Sequence, residues 1–173
     1  MFDWLTNLFD ILLSVVPRMK KVPPTHRMIK WSHCKEGTLH GPGLIWHWPL
    51  VTEEQVVDMR WESTINYVQA VTMADGTSVS ARGKIVWRLS DPLTAVEDNH
   101  EFWDRVPEQM LSATVCVLGA CHKSDLRNTV SMNMMLTIEC RERIEPIGVE
   151  VKECAFTELV VSPAFRLIND NGE

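Results

Sequence analysis

Basic residues are scarce in this chain, tyrosine occurs once, and no apolar run is long enough to cross a bilayer comfortably. Lys and Arg together number 17 against 23 Asp and Glu, giving a formal net charge of −6 and a pI near 5.5. A general nucleic-acid binder needs a basic surface that releases counterions from phosphates, so that class is excluded. The 5 cysteines (Cys34, Cys116, Cys121, Cys140 and Cys154) are odd in number and lack paired spacing. That excludes a disulfide framework and suits a reducing compartment. Residues 1–16 carry no basic n-region and no small-residue cleavage site follows, so no secretory signal is expected.

Catalytic motifs are missing too. There is no Walker loop, HExxH, dinucleotide glycine pattern or GxSxG elbow. His33, Cys34, His40 and His47 are metal-capable, but none of their spacings repeats the tight steps that preorganise a zinc site. His122, Ser124 and Asp125 lie too close in sequence to converge as a hydrolytic triad. The expectation is a non-enzymatic protein with no cofactor and no metal.

What is present describes a folded domain with an unusual end. At 45% hydrophobic and 23% charged residues, the 173-residue chain can build one compact domain or two small subdomains. In residues 1–16, Asp3, Asn7, Asp10 and Ser14 recur at helical spacing. Phe2, Leu5, Phe9, Leu12, Leu13 and Val16 cover the opposite side, flanked by Trp4, Leu8, Ile11 and Val15. Pro17 ends this helix, and Arg18, Lys20 and Lys21 follow. Sixteen helical residues reach only about 24 Å, short of the roughly 30 Å hydrocarbon core. The pattern therefore predicts a shallow amphipathic anchor over 1–17, its basic cluster on anionic headgroups at about 1 kcal/mol per residue. The competing use of the same pattern is packing on the domain's own core or on another protein.

Beyond a basic, proline-bearing linker at 18–25, residues 26–31 alternate loosely and 44–49 make an apolar run after the Gly41-Pro42-Gly43 turn; strands are expected at 55–60 and 64–72, with a hairpin turn at Ala74-Asp75-Gly76-Thr77. Val79, Ala81, Gly83, Ile85, Trp87 and Leu89 should share the buried face of the next strand. Asp91-Pro92 opens a helical half, with helices at 101–105, 107–119 and 128–145 and a short capped one at Ser124-Asp125. The last long helix should bury Met132, Met135, Leu136, the stem of Glu139 and Ile144. Met134 joins the same methionine-rich stretch, read as helix core or as an adaptable contact surface. Cys116 and Cys121 are expected in the core. A final strand runs from Val149 toward Val161. Strands, then helices, then a returning strand make an α+β fold. Trp46, Trp48 and Trp61 serve either as a membrane-dipping apron or as core.

Read together, several segments resemble one family. Gly41-Pro42-Gly43-Leu44 through Trp48-Pro49, Val57-Asp58-Met59-Arg60, Thr72 to Thr77, Val86-Trp87-Arg88-Leu89 with Asp91-Pro92, Val117-Leu118-Gly119 with Asp125-Leu126, and Ile147 to Val151 are similar, in order, to SPFH (band 7) proteins of the stomatin and prohibitin type. The resemblance covers about residues 27–163. It implies a β-rich first subdomain (26–92) near a membrane and an α/β second subdomain (93–163), with no catalytic residues. It also implies homo-oligomers, or hetero-oligomers with another SPFH protein, that scaffold membranes and regulate membrane-protein clients. The expected site is lipid-facing: the apolar residues of 1–16, Arg18, Lys20 and Lys21, with Trp46 and Trp48. Location on the cytoplasmic face of a membrane is expected. The family's long assembly helix is expected to be reduced to a short one with its tail at 164–173. The alternative is an interaction module that caps or joins a larger SPFH or other, possibly viral, assembly without touching lipid.

Overall fold

The computed structural model describes residues 16–32, 36–97 and 102–162. Residues 1–15 of the anchor helix expected over 1–17, and the tail expected at 164–173, lie outside these. The chain divides into two compact units: the described parts of 1–61, 88–100 and 147–149 form the first, and those of 62–87, 101–146 and 150–173 the second.

The first unit is β-rich. β1 (Arg18–Val22) pairs antiparallel with β4 (Gly43–His47), and β2 (His26–Ser32) lies between β3 (Thr38–His40) and β5 (Thr52–Asp58). Arg18 to Val22 belong to the stretch read from sequence as a linker. They form a strand because β4 supplies a partner for the extended backbone that the prolines already favour. A short helix, α1 (Pro92–Glu97), packs on β2 and β3. Val22, Met28, Ile29, Val57, Leu89, Ala95, Val96 and Val149 are buried in this unit. One backbone crossing is tight. Gly148 sits at φ +80° and its carbonyl accepts from the backbone N–H groups of Ser90 and Asp91, both at 3.0 Å. A Cβ there would lie 2.4 Å from the Asp91 carbonyl oxygen.

The second unit carries a sheet centred on β8 (Ser78–Leu89), which pairs with β6 (Glu62–Ile65), β7 (Gln69–Thr72) and β9 (Val149–Ser162). The expected alternation on β8 is met in full, with Val79, Ala81, Gly83, Ile85, Trp87 and Leu89 all buried. The hairpin turn is also where the sequence placed it: Gly76 has φ +78° and the Asp75 carboxylate accepts from the Thr77 N–H at 2.9 Å. The single strand expected at 64–72 is instead broken. Ile65 faces Lys84 and Gln69 faces Ala81, so four steps on one side oppose three on the other. The extra residue makes a bulge. Within it Asn66 is buried, its side-chain amide donating to the Pro107 carbonyl at 3.1 Å, while Tyr67 stands 87% exposed.

Two helices pack together in this unit: α2 (Phe102–Ala120) and α3 (Thr129–Ile144). The two short helices expected at 101–105 and 107–119 are one, running through Pro107. A proline this near a helix start forfeits a hydrogen bond only to a first-turn carbonyl. Asn128 caps α3 by accepting from the Ser131 N–H at 3.2 Å.

Candidate membrane-binding surface

β1 reads Arg-Met-Lys-Lys-Val, and strand alternation sends Met19 and Lys21 to one face and Arg18, Lys20 and Val22 to the other. The register sets Met19 opposite Trp46 and Lys21 opposite Leu44. This face of the β1–β4 ribbon is open: Leu44 is 67% exposed, Trp46 57% and Met19 56%. Trp48 follows two residues after Trp46 and is also exposed. A tight turn then presents Leu50 and Val51, the N–H groups of Val51 and Thr52 both donating to the Trp48 carbonyl at 3.0 and 2.9 Å. The result is an apolar surface built around tryptophan with lysine in its midst.

The other face of the ribbon is fastened to β5. Lys20 forms a salt bridge with Glu54, and His47 Nδ1 lies 3.1 Å from the second oxygen of the same carboxylate. The His47 contact has the distance of an ion pair without the alignment of a hydrogen bond. Val22, on this face, is buried.

Of the residues expected to meet lipid, Phe2, Trp4, Leu5, Leu8, Phe9, Ile11, Leu12, Leu13 and Val15 lie outside the described residues. Val16, Arg18 and Lys21 are exposed, Trp46 shares the face of Lys21, and Trp48, just past the end of β4, is exposed as well. Lys20 faces the opposite way, into Glu54. Trp61 is exposed too, and the Arg88 guanidinium lies over its ring at 4.6 Å. Met19, Leu44, Leu50 and Val51 were missed. Met19 and Leu44 were reachable from alternation alone, since each stands two residues from a residue already chosen.

The remaining candidates divide. Cys121 is in the core as expected, with burial pushing its thiol up and its Sγ 3.6 Å from the Met132 sulfur. Cys116, expected beside it in the core, is exposed on α2 instead. Met132 is buried, but Met135 and Met134 are exposed, correcting the expectation for Met135. The seam of α3 is Met132, Leu136, Cys140 and Ile144. Val130, Met134 and Ile138 make a second apolar stripe, facing outward beside Met135. The Asp125 carboxylate accepts from the His122 backbone N–H at 2.8 Å and the Ser124 hydroxyl at 3.2 Å. It caps the turn at Lys123–Arg127. Among the described residues, no group of three or more His, Cys, Asp or Glu side chains is placed to hold a metal, and no helix is long and apolar enough to cross a membrane.

A family model described as "SPFH domain / Band 7 family" matches residues 20–164. The search of curated proteins returned no match.

Proposed function

We propose, from the premise that this chain belongs to the SPFH / Band 7 family, that it is a non-enzymatic scaffold held at the cytoplasmic face of a membrane. The family's members are generally membrane-associated scaffolds. In this reading the exposed face of the β1–β4 ribbon lies against lipid. Trp46, Trp48, Leu44 and Met19 enter the headgroup region while Lys21, on the same face, meets anionic phosphates. The apolar residues of 1–16 insert beside it. The single observation that supports the reading is the open Met19–Trp46 and Lys21–Leu44 face. An exposed tryptophan, leucine and methionine gathered with a lysine on one face of a two-stranded ribbon form the kind of apolar patch that marks a contact surface, and the lysine among them suits an anionic membrane.

Co-sedimentation with vesicles containing phosphatidylglycerol tests this. Each of Trp46→Ala and Trp48→Ala should weaken binding about tenfold, as expected for removing one large apolar group from the interface. Deletion of residues 2–17 should weaken it further. Unchanged binding in the tryptophan variants would remove the ribbon from the contact, and unchanged binding after the deletion would remove the anchor.

A second reading, an interaction module that joins a homologous or larger assembly without lipid, is favoured by the outward stripe Val130, Met134 and Ile138 on α3. Self-assembly or co-assembly with another SPFH chain through this helix would organise neighbouring membrane-protein clients. The two readings are compatible within one scaffold, and they separate experimentally because they use different residues.

A further inference from the structure

Within the first unit an open groove of about 670 Å³ is lined by Lys30, Ser32, Glu36, Thr38, Trp48 and Val51 among others. Its volume suits a small-molecule ligand. Trp48 and Val51 belong also to the apolar surface described above, so the groove is continuous with it. Its charges are of both signs. The Lys30 ammonium donates one hydrogen to the Trp46 carbonyl at 3.2 Å, and an ammonium has three to give. That bond ties the cation to the ribbon strand. The Thr38 hydroxyl donates to the Lys30 carbonyl at 3.1 Å, bracing the same residue from β3. Glu36 supplies a carboxylate to the groove from an exposed position.

A cation, a carboxylate and an apolar wall in one groove match a ligand that carries a phosphate, an amine and an apolar end. We infer that the groove binds a phosphoethanolamine ester, the phosphate on Lys30 and the Ser32 hydroxyl, the primary ammonium on Glu36, and the glycerol end against Trp48 and Val51. Glu36 selects this class. It repels a bare phosphate, and a quaternary ammonium has no N–H to donate to it. The membrane-lipid form of the ligand rests on the membrane-surface reading; a water-soluble phosphoethanolamine ester has the same recognition chemistry.

The full chain is titrated with vesicles of phosphatidylcholine alone, of phosphatidylcholine with phosphatidylethanolamine, and of phosphatidylcholine with phosphatidylglycerol. It is also titrated with glycerophosphoethanolamine, glycerophosphocholine and inorganic phosphate while the Trp48 indole N–H resonance is followed. Ethanolamine-containing vesicles should bind about tenfold tighter than phosphatidylcholine alone. Glu36→Gln, at an exposed position, and Lys30→Met should each abolish that preference. Equal affinity for those two vesicle compositions, or a preference that survives both variants, overturns the groove while leaving membrane attachment standing. Binding to no vesicle at all defeats the membrane reading. In that case a Trp48 shift with glycerophosphoethanolamine that is lost in Glu36→Gln upholds the groove as a soluble phosphoester site. No shift, or equal shifts with glycerophosphocholine or phosphate, overturns it.

Discussion

Asp75 shows how much one carboxylate can organise from the surface. It accepts from the Lys123 backbone N–H at 2.9 Å and from the Thr77 N–H at 2.9 Å, joining the β7–β8 turn to the turn that follows α2. These bonds, the one from Lys123 first, hold its pKa at about 2, below the ordinary 3.8. A depressed folded-state pKa stabilises the fold where the unfolded carboxyl is ionised and ceases to do so as pH falls through the folded value. The Tm difference between the wild type and Asp75→Ala should therefore be full above about pH 4 and shrink toward pH 2. A difference that stays constant over that range would show that the carboxylate's charge contributes nothing. The turn itself was legible, because Asp-Gly in that frame has few other uses. The Lys123 partner was not, since it lies far along the chain. Cysteine behaves similarly. The hydrogen bond with Cys140 and burial push the Cys154 thiol well above its ordinary range, whereas Cys116 is exposed. Of the four described cysteines, brief iodoacetamide treatment of native protein should alkylate Cys116 alone, read by peptide mass spectrometry. Sequence put Cys116 in the core because Cys is usually buried, and only the rotation of α2 decides otherwise.

Rotation of a helix is the recurrent difficulty at the scale of elements. On α3, Met132, Leu136, Cys140 and Ile144 recur every four residues, and so do Val130, Met134 and Ile138. Both stripes satisfy a helical period, and periodicity alone cannot say which one meets α2 and the sheet. Strands are easier where one face is wet, which is why β8 was read residue by residue. They are harder where pairing slips: the bulge between β6 and β7 depends on which β8 residues face them, a long-range fact. Gly148 belongs to this scale too, because it fixes how β9 begins. Its backbone is left-handed and its missing Cβ leaves room for the Asp91 carbonyl. Gly148→Ala should destabilise the protein by about 2–3 kcal/mol, combining φ strain with a backbone clash. Urea denaturation would measure it, and a change under about 0.5 kcal/mol would mean the crossing relaxes freely.

For the molecule as a whole, the order of strands, helices and returning strand gave the α+β class and the family from sequence, because those motifs are local. The composition of the two compact units was not legible in the same way. Each gathers three separate stretches of chain, and which stretch joins which is decided by pairings between distant residues. The same limit separates the two surfaces of the proposed scaffold. The ribbon surface lies in the first unit and the outward stripe of α3 in the second, so lipid attachment and assembly should be independently removable. Met134→Asp with Ile138→Asp places charge on positions already exposed, so folding should be retained while an apolar contact between chains is lost. Native mass spectrometry in detergent should then show the oligomer of the wild type reduced to monomer, with vesicle co-sedimentation altered only by the loss of multivalency. Trp46→Ala with Trp48→Ala should do the converse, lowering vesicle binding while leaving the oligomer in detergent intact. If the α3 variant keeps the wild-type oligomer, assembly uses another surface. If both variants lose both properties together, attachment and assembly form one contact, and the division of labour between the units fails.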